Sequence, residues 1–153
     1  MNEEFLINNY LKKLSRNNPS SLKLNDDVFF DKNKKLVISV DTYNEGIHFL
    51  NFKKPELIIR KIIRSSISDI FAKGVKPNYF FLAGSGNKKH FTKKNMSLIN
   101  KSLSSEQNRF NIKLSGGDTT SSKNLSFTVM SLGYSNKIVY RNKAKNGDDI
   151  YIT

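Results

Sequence analysis

The chain has 153 residues, 37% of them hydrophobic, with 26 Lys and Arg against 13 Asp and Glu and a formal net charge of +13. That length suits one domain of ordinary size with a buried core, and the apolar residues arrive in periodic blocks, unlike those of a disordered polyelectrolyte. The absence of cysteine excludes disulfides and thiolate metal sites, no apolar run approaches the ~20 residues of a membrane span, and the acidic start Met1-Asn2-Glu3-Glu4 is unlike a signal peptide, so a cytoplasmic protein is expected.

The positive charge raises the question of a polyanionic partner. The lysines are spread along the whole chain and accompany an excess of Asn, Ile and Ser, which points to compositional drift rather than a nucleic-acid footprint.

In chain order, Leu6, Ile7, Tyr10, Leu11 and Leu14 follow helical spacing and predict a helix over 3–17, stopped by Asn17-Asn18-Pro19. Val28–Phe30 and Leu36–Val40 predict strands around a polar turn at Asp31–Lys35. The clearest helix spans 55–73. Pro55 suits its first turn, Glu56 complements the dipole, and Ile59, Ile62, Ile63, Ile67, Ile70 and Phe71 form one apolar stripe. Gly74 stops it, with Pro77 just beyond. Tyr79–Ala83 predicts a buried strand, and Gly84-Ser85-Gly86 a flexible loop. A helix over about 92–109 has Thr92 as its N-cap. Residues 112–114, 125–134, 138–140 and 149–152 predict further strands. The sum is an α+β domain, and a chain that stops on a strand is expected to be cut before its continuation.

Carboxylates are few, so their places are informative. Asp26 and Asp27 precede the first strand, Asp41 follows the second, and Asp118 follows Gly116-Gly117 after the strand at 112–114. Loops at strand ends commonly build sites. Asp69 lies inside the long helix on the flank of its isoleucine stripe. A carboxylate there needs a partner, and Lys61 or Lys73 would supply a plain salt bridge. Taken singly, the other aspartates read as turn formers or caps. Together, oxygen donors without Cys and with two distant histidines suit a hard cation such as Mg²⁺. Ser115-Gly116-Gly117-Asp118-Thr119-Thr120 reads as a small-residue loop able to approach phosphate. It is not a Walker A loop, and no protein-kinase signature is present. His48 reads as a surface-loop residue and His90 as solvated. Neither belongs to a nucleophile set or a zinc site.

Four segments carry a resemblance. Asp41-Thr42-Tyr43-Asn44-Glu45-Gly46-Ile47-His48-Phe49 resembles the Asp-Thr-x-x-x-Gly-x-His-Phe signature of thiamine-monophosphate kinases. Ser68-Asp69-Ile70-Phe71-Ala72-Lys73-Gly74-Val75-Lys76-Pro77 is similar to that family's Ser-Asp-Leu-Ala-Ala-Met-Gly-Ala-x-Pro. Ser115–Thr120 is similar to its Gly-Gly-Asp-Thr-Thr loop. Arg141–Thr153 resembles its Arg-Ser-Gly-Ala-x-x-Gly-Asp-x-Ile-Tyr-Val-Thr. All four come in order across the whole chain. Two positions depart: Asn25 stands where the family has glycine in Gly-x-Gly-Asp-Asp, and Ser66 where it has asparagine.

The resemblance implies the N-terminal domain, residues 1–153, of the aminoimidazole-ribonucleotide-synthetase-like fold. That fold is an α+β domain with a mixed or antiparallel sheet and helices on one face, and the family's C-terminal domain is absent from this chain. It implies transfer of the γ-phosphoryl of ATP to thiamine monophosphate, giving thiamine diphosphate, with Mg²⁺ screening two anions and no covalent intermediate. By residue, it implies Asp27, Asp41, Asp69 and Asp118 as metal ligands with Ser39 and the Val40 carbonyl as minor ones. Gly117, Asp118 and Arg141 fall on ATP, and His48 on the thiamine-phosphate side. A homodimer through the sheets of this domain is expected, and a chain incomplete for catalysis alone. Two alternatives remain: another phosphoryl-transfer enzyme of the same superfamily, or a non-catalytic basic nucleic-acid-binding module begun by Arg60, Lys61 and Arg64, a stretch without interleaved aromatics.

Overall fold

The computed structural model describes residues 2–150. A five-stranded sheet lies under two long helices. In chain order the elements are α1 (Glu3–Leu6), a π-helical turn (Ile7–Leu11), a 3₁₀ segment (Pro19–Leu24), β1 (Phe29–Asp31), β2 (Leu36–Asn44), α2 (Pro55–Ala72), β3 (Pro77–Gly86), α3 (Lys93–Phe110), β4 (Lys113–Ser121) and β5 (Ser126–Tyr134). The strands run in the order β1-β2-β5-β3-β4. Only β3 and β4 are parallel, as their connection through α3 requires. The α+β class with helices on one face therefore holds.

The alternation of β2 and β5 decides which face meets the helices. Val37, Ser39 and Tyr43 of β2 and Phe127, Val129 and Ser131 of β5 are buried, as expected for strands with one covered face. Ile59, Ile62, Ile63 and Ile67 of α2 meet Phe80, Phe127 and Val129 beneath them and Ile99 and Leu103 of α3 beside them. Ile70 joins a smaller cluster with Val28, Phe30, Val37, Val75 and Ile138. Thr92 caps α3 by accepting from Asn95 N at 3.2 Å, and left-handed Asn111 (φ 52°) closes it.

Several expectations change. The helix over 3–17 is a four-residue α-turn and a π-turn, followed by irregular turns. The Asn9 amide donates to the Phe5 carbonyl, a local competitor of the helical ladder, and Phe5, Tyr10, Leu11 and Leu14 are exposed. Phe71 drops out of the buried stripe at 45% exposed. β2 runs on to Asn44 because its register with β5 is unbroken from Leu36↔Tyr134 to Asn44↔Ser126, so Asp41 lies within a strand rather than after one. Gly84-Ser85-Gly86 ends β3 instead of forming a loop. The Gly-Gly-Asp-Thr-Thr segment is also strand, within β4, and pairs from Leu82↔Gly117 to Ser85↔Thr120. A Cβ at Gly117 would fall on the Leu82 carbonyl, so glycine there serves strand approach. Residues 138–140 form no strand, although Ile138 is buried and Val139 N donates to the Lys73 carbonyl. Of the expected strand at 149–152, residues 149–150 are not strand and 151–152 lie outside the described residues.

Candidate active site

The seam between β2 and α2 gathers the carboxylates. Ser39, Asp41 and Tyr43 alternate onto the helix-facing side of β2, and Ser65, Ser66 and Asp69 face them from α2. Ser39 Oγ donates to Asp69 Oδ2 at 2.9 Å, and the buried Ser66 and Ser131 hydroxyls are 2.9 Å apart. Beside this seam opens a cavity of about 880 Å³ lined by Asn25, Asp26, Asp27, Val40, Asp41, Asp69 and Arg141, with Glu3, Glu4, Ile7, Asn8 and Lys12 closing one side.

The charges in this cavity are unevenly matched. Lys73 Nζ lies 2.5 Å from Asp26 Oδ1 with both side chains buried. Arg141 Nη1 reaches Asp27 at 3.3 Å from a largely exposed position. The Asp69 alternative of a direct salt bridge to Lys61 or Lys73 is not what forms: Asp69 is held by Ser39, Lys73 turns to Asp26, and Lys61 donates to the His48 carbonyl. Asp41 Oδ2 is buried without a hydrogen-bond partner. Burial pushes the Asp41 carboxyl above the usual range, Asp69 and Asp27 add to this, and the Tyr43 and Ser66 hydroxyls oppose it. Burial also raises Asp69, against the Ser39 hydrogen bond and the nearby Lys73 ammonium. Tyr43 is pushed up to about 12 by burial and by the same two carboxylates.

These residues suit a hard cation in a particular way. Among the described residues no three His, Cys, Asp or Glu converge as a ready-made metal cage. Mg²⁺ does not need one, since it keeps several waters and takes one or two carboxylates plus phosphate oxygens. The orphaned buried Asp41 oxygen is the observation that favours such an ion, because an unpaired buried acceptor is costly.

Other sequence-derived positions fall elsewhere. Asp118 is exposed on the edge strand β4, and the row Asp118–Ala83–Thr128–Thr42 crosses the sheet, which puts it three strand spacings, about 14 Å, from β2. It and Gly117 therefore do not join the seam, because the sheet order inserts β3 and β5 between them. Asp118 Oδ1 accepts from Thr119 N at 2.8 Å. Ser39 is only 2% exposed and donates its hydroxyl to Asp69, which positions that carboxylate. Val40 lines the cavity. His48 is an exposed turn residue whose Nδ1 accepts from Asn44 N at 2.9 Å, with its ring edge-on to Tyr43. His90 is not solvated: it is 16% exposed, lies 3.6 Å from Glu45 and accepts from Asn87 N.

Sequence reasoning missed Asp26–Lys73 and Arg141–Asp27, which join residues 47 and 114 positions apart and have no local signal. It also took the Arg60–Lys61–Arg64 stretch to lack aromatics. In space, Phe110 lies under the Arg64 and Arg109 guanidiniums. Glu106, buried, engages Arg64 at 2.7 Å and Arg60 at 3.8 Å, so two cations of the supposed nucleic-acid face are already committed. Among the described residues no helix is long and apolar enough to cross a membrane.

Comparison with known proteins gives the family and the fold. The model of the AIR synthase related protein N-terminal domain matches residues 24–135. The thiamine-monophosphate kinase of Haemophilus influenzae is 33% identical over 164 residues, covering 100% of this chain and 48% of the relative. That of Buchnera aphidicola subsp. Schizaphis graminum is 31% identical over 99% of this chain and 48% of its own. The chain thus spans about half the length of the curated relatives it matches. AaThiL complexed with AMPPCP and TMP superposes with a TM-score of 0.76 at 23% identity, over 95% of this chain and 47% of that one, which shows the fold. The Stenotrophomonas maltophilia thiamine-monophosphate kinase superposes with a TM-score of 0.69 at 25% identity, over 92% and 48%.

Proposed function

The chain belongs to the AIR synthase related proteins, matching their N-terminal domain, and from that membership we propose that it is the Mg²⁺- and ATP-binding part of a thiamine-monophosphate kinase. Because it spans about half the length of its curated relatives, the proposal assigns to these residues the nucleotide side of the reaction. The observation that carries it is the acidic cavity, lined by Asp41 and Asp69, with the orphaned Asp41 oxygen. The kinase relatives and the AMPPCP and TMP complex of AaThiL support the choice of substrates.

In this reading Asp27, Asp41 and Asp69 hold Mg²⁺ and Arg141 binds ATP phosphate. Mg²⁺ would screen the repulsion between the ATP polyphosphate and the acceptor phosphate monoester and favour their in-line approach. The chain's own contribution is placement. Ser39 fixes the Asp69 carboxylate, the β2–β5 ladder fixes Asp41, and Arg141 stands at the cavity's exposed rim, where a guanidinium fork suits phosphate. In this reading transfer passes directly from donor to acceptor phosphate. His48 is assigned to the acceptor side, because its turn follows the strand that carries Asp41 and its ring packs on Tyr43. Gly117 and Asp118 do not line this cavity, so this proposal places the divalent cation on the other three aspartates.

A homodimer belongs to the same proposal. The sheet face opposite the helices carries the apolar rows Ile38–Leu132–Tyr79 and Val40–Met130–Phe81, with Val40 59% and Tyr79 41% exposed. A face of that kind suits burial against another sheet.

The test is thermal stability titrated with ATP, with and without Mg²⁺. A ligand that binds only the folded state raises its stability, so a shift that needs both is expected. A shift of equal size in EDTA would refute a metal-bridged nucleotide. Label appearing in thiamine diphosphate when protein carrying this chain meets γ-labelled ATP and thiamine monophosphate, and not with other acceptors, separates this kinase from its superfamily.

A further inference from the structure

Lys73 has no role in the phosphoryl-transfer reading, yet it is the most enclosed cation at the site. It caps the C-terminal end of α2, four residues after Asp69, and its side chain is only 6% exposed. Lysine is almost never buried without a partner. Here the partner is Asp26, whose side chain is 5% exposed and whose Oδ1 also accepts from Asp27 N at 2.8 Å. The Lys73 backbone is pinned as well: its carbonyl accepts from Val139 N at 3.0 Å, two residues before Arg141. One residue therefore ties the end of α2 to the Asp26-Asp27 turn and to the segment that carries Arg141.

Charge explains why a cation belongs there. Asp26, Asp27, Asp41 and Asp69 border one cavity, and like charges in a partly enclosed space repel. The Lys73 ammonium also pulls the Asp69 carboxyl down while Asp26 and Asp27 push it up, so its field reaches the α2 carboxylate. An ammonium has three donors and no open coordination position. Unlike a bound divalent ion it cannot leave, and it cannot contact a phosphate while enclosed against Asp26.

We propose that Lys73 is the resident counter-cation and a positioning residue of the acidic cavity, neutralising Asp26 and orienting the Asp26–Asp27 turn so that Asp41, Asp69 and Asp27, the last held only by the exposed Arg141 at the rim, face an exchangeable divalent cation. The inference rests on the metal reading above. It predicts that Lys73 sets how much negative charge the divalent ion meets, and that the two members of the pair act on metal affinity with opposite signs.

The experiment uses Mn²⁺ alone as the probe, by calorimetric titration and by melting in EDTA and in Mn²⁺. Lys73→Met leaves Asp26 enclosed and uncompensated; the variant should melt lower in EDTA, recover with Mn²⁺ and bind Mn²⁺ about tenfold more tightly, a one-charge effect in a medium less screening than water. Asp26→Asn frees the ammonium to face Asp69 and should weaken Mn²⁺ binding by about tenfold on the same reasoning. The double variant Asp26→Asn with Lys73→Met removes both charges, should fold in EDTA, and should return close to the parent affinity. It carries the test if Lys73→Met alone fails to fold. Parent binding with unchanged affinity in Asp26→Asn and a shifted one in the double variant would overturn the inference, as would affinity changes of the same sign in both single variants. If the parent itself does not bind Mn²⁺, the metal reading falls and takes the inference with it, an outcome visible before any variant is made.

Discussion

Replacing Asp41 by Asn gives a test in which stability and ligand binding move in opposite directions. Asp41 Oδ2 is buried and unpaired, and its charge is opposed by burial and by Asp69. An unsatisfied buried acceptor costs about 1–3 kcal/mol. Asparagine has nearly the same shape and keeps a polar atom there, but it removes the charge and supplies an amide donor that can face Asp69. Recovery of about 1–2 kcal/mol is expected in the absence of divalent cation, with the lower half of that range favoured because polarity remains. For a domain of this size that raises the melting temperature by about 3–6 °C. The parent should gain about 1.4 kcal/mol from Mg²⁺ at ten times its dissociation constant, and Asp41→Asn should gain almost none. Urea unfolding in EDTA and in Mg²⁺ measures both quantities on the same samples. An Asn variant less stable than the parent in EDTA that keeps its full Mg²⁺ increment would refute the reasoning, since it would show a carboxylate satisfied by the protein itself.

Two further outcomes are expected. Asp41 and Asp69 have native pKa values raised above the usual 3.8, so the folded state holds protons that the unfolded chain has released. Their contribution to stability is present below the unfolded value and is lost as pH rises through the native values. In EDTA these two groups therefore favour mild acid over neutral pH. The Mg²⁺ increment should shrink on acidification, because protons compete with the cation; an increment unchanged down to about pH 4 would contradict this. Separately, Leu22, Lys23 and Leu24 have φ of 52°, 61° and 55° just before Asp26, a left-handed run that costs side-chain-bearing residues roughly 1–2 kcal/mol each. Lys23 is exposed, so Lys23→Gly should relieve strain without losing packing and stabilise by about 0.5–1 kcal/mol after the flexibility of glycine in the unfolded chain is counted. Chemical denaturation checks it, and a destabilised variant would refute the strain.

The sequence alone determined the elements whose signal is periodic and local. The isoleucine spacing of α2 and the Thr92 cap of α3 each encode their own geometry within a few turns, and both stand in the structure, as does the strand expected over 125–134. It also marked Asp27, Asp41 and Asp69, because aspartates are scarce and lie in motif order, and these three do border one cavity. What the tertiary structure decided is everything that depends on which strands are neighbours. Polar Asp41–Asn44 and Gly117–Thr120 are strand because β5 and β3 offer each of them a pairing partner, past a register break at Ser115 and Gly116 in the second case, and backbone hydrogen bonding to a partner outweighs the turn preference of Gly, Asn and Asp. The same sheet order carries Asp118 to the far edge, three strands from Asp41, a separation invisible in a motif read along the chain. Lys73 found Asp26 rather than Asp69, four residues away on its own helix, because the helix ends at Ala72. Past the last helical turn a side chain no longer stacks on the residue four before it, and burial sends the ammonium to whichever carboxylate the fold encloses beside it.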